Sequence, residues 1–240
     1  MAKSLVVIPT YNEIENIEAI LKEVLQQPSQ FEVLVVDDNS PDGTADAVNV
    51  LMEMYPQRVH LEVRTEKSGL GTAYLHGFHW ALQKDYEYIF EMDADFSHNP
   101  NDLEALLDAC QNKNVDLAIG SRYVKGITVV NWPLNRILLS YGASKYVKWI
   151  TGMNVNDSTA GFICYKRKVL ETIDLSKIHF VGYAFQIEMK FKASLKKFTI
   201  IEIPVIFTDR VKGISKMSGS IIYEAIFGVI SMKIKSIFHK

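Results

Sequence analysis

Five apolar runs, SLVVIPT, FEVLVVDD, VHLEVRT, YIFEMDAD and VDLAIGS, follow one another through the first half of the chain. Amphipathic stretches separate them at residues 14–27, 44–55, 71–84 and 100–112. The runs are too continuously apolar for strands with one wet face, so each needs cover on both sides. Strands that alternate with helices and demand two covers imply a mostly parallel sheet layered between helices, an α/β fold. Such sheets bind ligands beyond the carboxyl ends of their strands. The motifs PTYNE, DDNSPDGT and DADFSH stand at three of those ends.

Helix starts are marked by Asp42 and Thr44 in SPDGTAD and by Pro100 and Asn101 in SHNPND. The second half is less regular. WPLNRILLSYGASKYVKWITG reads as a helix with a broad apolar face and the cations Arg136, Lys145 and Lys148. GFICYKRK and FTIIEIPVIFTD read as strands, with YAFQIEMKFKASLKK as a helix between them. The expected organisation is one body over residues 1–217 and an amphipathic C-terminal helix over 218–240, without repeats or a linker. At 240 residues and 48% hydrophobic content the chain can bury a sizeable core.

The net charge of −2 conceals a division: residues 1–120 carry 21 acidic against 7 basic side chains, and residues 121–240 carry 19 basic against 7 acidic. A basic second half with apolar helices fits an anionic partner or a membrane surface, and no nucleic acid is expected. Residues 133–151 and 218–238 have the character of interfacial helices. Cys110 and Cys164 match no metal or disulfide spacing, which favours a reducing compartment. The N-terminal apolar run is too short for a signal peptide. No segment reaches the roughly 18 uninterrupted apolar residues of a spanning helix. The expected location is cytoplasmic, peripheral on the cytoplasmic face of a membrane.

The run Tyr88-Ile89-Phe90 reads as a buried strand, yet Glu91, Asp93 and Asp95 follow it directly. Carboxylates so close repel unless a cation joins them. A D-x-D pair where a strand opens into a loop suits a hard divalent ion that keeps sites for phosphate oxygens; the alternative is an acidic helix start before Pro100. Asp37 and Asp38 end another strand at the same rim, fit to accept from a nucleobase N–H or ribose hydroxyls, or else to cap the next helix. Gly69 and Gly71 open a helix near the same edge but do not form a dinucleotide fingerprint. His76 and His79 lack a supporting carboxylate and read as packed or exposed side chains rather than a metal pair. Taken singly, Arg122, Arg136, Arg210 and Lys216 read as surface salt-bridge partners; together with an acidic metal site they are candidate phosphate contacts, the arginines gripping phosphate with a two-pronged fork.

Taken in order and spacing, PTYNE, VVDDNSPDGT, GLGTAYLHG, MDADFSH, GSRYV, DSTAGFICYK, GYAFQIEM and DRVKGISK resemble the dolichol-phosphate mannose synthase family of glycosyltransferase family 2, from about residue 5 to about residue 220. The resemblance implies a GT-A fold with a Rossmann-like sheet. It also implies inverting transfer of mannose from GDP-mannose to a polyprenyl or dolichyl phosphate, with Mg²⁺ or Mn²⁺. By the same resemblance Pro9, Tyr11, Glu13, Val36 and Asp38 cradle the nucleoside, and Asp93, Ala94 and Asp95 hold the diphosphate and metal. Arg122, Arg210 and Lys216 match phosphate-contacting, catalytic positions. Arg136 and Ser140 match the acceptor-side pair, together with Arg122, and Gln186 and Glu188 the sugar pocket. Ser97 departs from relatives that carry an amide ligand there, which leaves the third protein ligand open. Some relatives carry transmembrane segments and others use separate membrane subunits. Another nucleotide sugar such as UDP-glucose, or a non-catalytic sugar-nucleotide-binding subunit, are the competing readings.

Overall fold

The computed structural model describes residues 2–112, 114–209 and 220–238. The first half alternates as the hydrophobic pattern requires: β1 (Lys3–Thr10), α1 (Ile17–Leu25), β2 (Glu32–Asp37), α2 (Thr44–Met54), β3 (Val59–Val63), α3 (Leu70–Leu82), β4 (Tyr86–Glu91), α4 (Asp102–Asn112) and β5 (Leu117–Ser121). After these come β6 (Val129–Val130), α5 (Leu134–Thr151), β7 (Ile163–Lys166), α6 (Arg167–Thr172), α7 (Tyr183–Leu195), β8 (Ile200–Pro204), β9 (Phe207–Thr208) and α8 (Ser220–Phe238).

The described residues form a seven-stranded sheet in the order β3-β2-β1-β4-β7-β5-β8, plus a small β6-β9 pair. Every pairing in the large sheet is parallel except those of β7, which runs antiparallel between β4 and β5. Two apolar cores follow from this, one on each face. Leu5, Val7, Leu34 and Ile89 turn to α3, α5 and α7, while Val6, Ile8, Val33 and Phe90 turn to α1, α2 and α4. Alternate residues of one strand thus feed opposite cores. Helix α3 lies so close to β1 that a Cβ on Gly77 would stand 2.5 Å from Val7 Cγ1.

Two sequence expectations change. FTIIEIPVIFTD does not run as one strand: β8 stops at Pro204, and after two residues β9 pairs with β6 instead. Proline donates nothing to a ladder and is tolerated here at the end of an edge strand. GFICYKRK also stops early, because α6 begins at Arg167. Helix α8 packs on α5 and α7, with Val229 and Met232 in the core and Phe227, Ile230, Ile234 and Ile237 exposed. Among the described residues no helix is long and apolar enough to cross a membrane.

Candidate active site

The register aligns the strand ends. Thr10 of β1 pairs with Asp37 of β2, and Val7 of β1 pairs with Glu91 of β4, so the loop after Glu91 rises beside the last turn of β1. Asp93 and Asp95 stand in that loop and line a cavity of about 480 Å³. The loop is held tightly. Tyr74 donates its hydroxyl to Asp93 at 3.2 Å, the Ser97 backbone N–H donates to Asp95 at 3.0 Å, and the Asp93 N–H donates to His98 Nδ1 at 3.0 Å. Phe96 between them sits at φ 60°, a left-handed conformation that a large side chain adopts only under constraint. His98 is buried, stacked on Phe162 at 4.9 Å; burial lowers its basicity, with Asp93 and Asp95 opposing.

The opposite side is cationic and aromatic. Asp157, fully buried, accepts Arg122 Nε at 2.7 Å, Nη2 at 2.5 Å and the Arg122 backbone N–H at 2.9 Å. Burial alone would raise the Asp157 carboxyl, yet the Arg122 charge and hydrogen bonds carry it below its ordinary value. The Arg122 guanidinium also faces the rings of Tyr123, Trp132 and Phe207 at 5.2–5.4 Å. Arg136 lies 3.9 Å over Trp132 and donates to Asp209 at 2.9 Å. Ser140, one helical turn on, accepts the Tyr123 hydroxyl at 2.8 Å. A buried ammonium fixes the floor: Lys190 donates to the carbonyls of Ser158, Ala160 and Gln186, and burial brings its pKa to about 8.

The cavity therefore gathers Asp93, Asp95, Arg122, Arg136, Ser140 and Gln186 from four separate segments. The nucleoside set stands outside it at the β1–β2 rim. Pro9 pairs with Val36 in the sheet, Glu13 receives Asn16 Nδ2 at 3.1 Å, and the Tyr11 ring carries Lys67 Nζ at 4.2 Å. Asp38 is paired to Arg64 at 2.5 Å, and Arg64 reaches on to Thr72; burial pushes the Asp38 carboxyl up against that pairing. Asp37 is tied to Thr10 and Ser40; the cap position of α2 is Gly43, and Asp42 before it accepts the N–H of Thr44, the first helical residue, at 3.0 Å.

Three expected side chains point elsewhere. Val36 is fully buried in the α3-side core and Ala94 in the α4-side core, so neither offers more than backbone. Glu188 accepts the N–H groups of His179 and Phe180 at 2.9 and 3.1 Å and pairs with Lys192, holding the turn before α7 instead of lining the cavity. Two positions apart on a helix, Gln186 and Glu188 leave α7 on nearly opposite sides, Gln186 towards Glu91 at the sheet end and Glu188 towards the preceding loop. Arg210 and Lys216 lie outside the described residues. His76 and His79 are exposed: His76 Nε2 stands 3.1 Å from Glu62, a carboxylate the sequence reading did not supply, and His79 Nδ1 lies 2.7 Å from the Leu75 carbonyl one turn back.

Asp157 and Trp132 escaped the sequence reading of roles. A buried arginine needs a carboxylate, and only the fold reveals that DSTAG supplies it. Four buried side-chain polar atoms lack a hydrogen-bond partner among the described residues, and three of them, Ser97 Oγ, Trp132 Nε1 and Gln186 Oε1, belong to cavity-lining residues. Buried polar atoms are normally satisfied, so their clustering marks a site whose ligand completes them. Among the described residues no three His, Cys, Asp or Glu side chains converge as metal ligands. The donor set of two carboxylates and a spare hydroxyl fits a divalent ion that takes its remaining oxygens from phosphate and water.

A doubly covered, mostly parallel sheet with a carboxylate pair at the end of its central strand defines a GT-A glycosyltransferase. The sequence profile of glycosyl transferase family 2 matches residues 5–174, and the chain belongs to that family. It is 49% identical over 97% of its length to the polyprenol monophosphomannose synthase of Mycolicibacterium smegmatis, covering 88% of that protein. It is 44% identical over 94% of its length to the undecaprenyl-phosphate mannosyltransferase of Micrococcus luteus, covering 91% of it. Among solved structures, glucosyl-3-phosphoglycerate synthase of Mycobacterium tuberculosis with Mn²⁺, UDP and glucosyl-3-phosphoglycerate superposes with a TM-score of 0.70 at 14% identity, over 98% of this chain and 80% of that one. A Pyrobaculum calidifontis mannosyltransferase in complex with GDP-Man and Mn²⁺ superposes with a TM-score of 0.61 at 19% identity, over 98% and 73%. At such identities these structures speak for the fold alone.

Proposed function

We propose that the protein transfers mannose from GDP-mannose to a polyprenyl or dolichyl monophosphate, with inversion at the anomeric carbon, at a membrane surface. The observation that carries this reading is one cavity with Asp93 and Asp95 on one wall and Arg122, Arg136 and Ser140 on the other. Its chemistry has room for two phosphate-bearing reactants facing each other. The names of the two close relatives supply the acceptor class and the sugar.

Tyr11, Glu13 and Asp38 border the place for the nucleoside at the rim, and Asp93 and Asp95 would hold Mg²⁺ or Mn²⁺ against the diphosphate. When bound, the ion stabilises charge on the departing GDP. Arg122 and Arg136 place the lipid phosphate, one of whose oxygens attacks the anomeric carbon as the bond from that carbon to the GDP β-phosphate oxygen breaks. A phosphate monoester is largely ionised near neutral pH, with a second pKa of about 6, so no protein base is needed. Positioning is the protein's main contribution. Arg210 and Lys216 are proposed to join the phosphate contacts on the strength of the motif match. The exposed Leu134, Leu138, Leu139 and Trp149 of α5 and the apolar face of α8 would seat the body on lipid, with 218–240 serving as an interfacial element.

The test is incubation of the purified protein with radiolabelled GDP-mannose, Mn²⁺ and a polyprenyl phosphate. Lipid-extractable label is expected. Label from UDP-glucose and none from GDP-mannose would reject the donor, and no transfer from any sugar nucleotide would favour a binding subunit.

A further inference from the structure

The transfer just described uses two of the three acids after Phe90 and leaves Glu91 without a task, although Glu91 is the most deeply buried of them. It closes β4 with no exposed surface. Tyr165 on the neighbouring strand β7 donates its hydroxyl to Glu91 Oε1 at 2.8 Å, and Gln186 on α7 donates its side-chain nitrogen to Glu91 Oε2. A buried carboxylate is unfavourable where an apolar side chain of equal volume could sit, so its presence calls for a reason.

Hydrogen-bond logic supplies one. Both Glu91 oxygens accept in this arrangement, one from Tyr165 and one from Gln186, and so set which end of the Gln186 amide turns towards them. With the nitrogen drawn inwards, the carbonyl oxygen Oε1 is left as an acceptor with no protein partner, on a side chain that lines the cavity. Gln186 itself is only 2% exposed, so its buried partners rather than solvent set which way the amide faces. We propose that Glu91 is a positioning residue for sugar recognition: with Tyr165 it fixes the Gln186 amide so that Oε1 accepts a hydroxyl of the donor hexose. This rests on the reading of the cavity as the place of sugar transfer.

Tyr165 gives the arrangement a direction that a substitution can reverse. In E91Q the new amide keeps its oxygen towards the Tyr165 hydroxyl, so its nitrogen points at Gln186. Gln186 must then turn its own oxygen inwards and present a nitrogen, a donor, to the cavity. In the exchanged double variant E91Q/Q186E the carboxylate at 186 receives that nitrogen on one oxygen and offers the other to the cavity, restoring an acceptor.

The experiment measures kcat/KM for wild type, E91Q, Q186L and E91Q/Q186E with GDP-mannose and its 2-, 3-, 4- and 6-deoxyfluoro analogues, in which fluorine replaces a hydroxyl and cannot donate, alongside affinity for GDP alone. Relative to Q186L, which lacks the amide and reports the inductive effect of fluorine, wild type is expected to discriminate against one deoxyfluoro analogue by roughly 10- to 100-fold, the worth of a buried hydrogen bond left unmade. E91Q should lose that extra discrimination, E91Q/Q186E should recover it, and GDP affinity should stay the same in all four. A purely structural Glu91 would lower activity towards every donor alike. The inference is overturned if E91Q keeps the wild-type pattern, or if the exchanged variant discriminates no better than E91Q. A wild type inactive with GDP-mannose but active with another sugar nucleotide would instead overturn the donor assignment, and the same four proteins would then be compared with the deoxyfluoro analogues of that donor.

Discussion

The two walls of the cavity are built on different principles. On the sheet side the functional acids are locked by short-range partners: Asp93 by Tyr74, Asp95 by the Ser97 N–H, and the loop between them by His98. On the α5 side large apolar side chains are left in water, Leu134 and Leu138 among them and Trp149 at 80% exposure. Charge stabilisation is directional and falls off steeply with misplacement, so its donors and acceptors must be fixed in advance. Attraction to hydrocarbon has no direction, so an apolar face can wait unpaired for its surface. On that second wall Arg122 is the exception, charged yet held as rigidly as the acids because Asp157 is buried beneath it.

The strongest attack on this contrast is at the rigid wall. Asp95→Ala should reduce transfer by roughly 1,000-fold through loss of ion binding. Its thermal midpoint should stay within a few degrees of wild type, because the residue stands in a loop. Near-normal turnover in a steady-state assay would show that Asp95 holds no ion.

Next comes the support of Arg122. Asp157→Asn leaves a buried guanidinium without its counter-charge and should cost about 3–5 kcal/mol in denaturant unfolding. The same pair has a pH signature. Asp157 titrates below its unfolded value of about 3.9, so the unfolded chain binds more protons in that window and stability rises with pH across it. The stabilisation is therefore complete above about pH 4 and fades as pH falls through the folded value. Unfolding curves from pH 5 downwards should be steeper for wild type than for Asp157→Asn; parallel curves would deny the pairing.

A smaller effect distinguishes the reactants. Arg136→Ala should raise KM for the lipid phosphate about tenfold while changing KM for the sugar nucleotide less than twofold, the loss of one charge-assisted contact. Equal changes would place Arg136 on the donor side. The mildest change touches the open wall alone. Trp149→Ser should weaken binding to vesicles of anionic phospholipid by roughly tenfold, since about one large side chain's burial is lost. Transfer to a short, water-soluble acceptor should be unaffected, and unchanged sedimentation with vesicles would move the lipid-facing surface elsewhere.

The strand–helix alternation was legible because each apolar run had to be covered on both faces, a demand visible in residue order. The D-x-D pair was legible because charge at the end of an apolar strand is unfavourable without a partner. Two kinds of residue were not. Glu188 and Gln186 share one motif and leave α7 on different sides, and only the packing around the helix puts a backbone turn on one side and the cavity on the other. Asp157 carries no local sign of its task, since its partner lies 35 residues away.

Residue order, through hydrophobic periodicity and the placement of breakers, settled the layered sheet, the edge at which the acids gather and the asymmetry of charge between the halves. Packing settled which polar atoms meet: Arg122 with Asp157, Glu91 with Tyr165 and Gln186, Asp38 with Arg64. Periodicity is a property of neighbours along the chain, whereas burial and hydrogen bonding depend on neighbours in space. The same glutamate can be a solvated end of a strand or an enclosed acceptor, according to what the remaining helices lay over it.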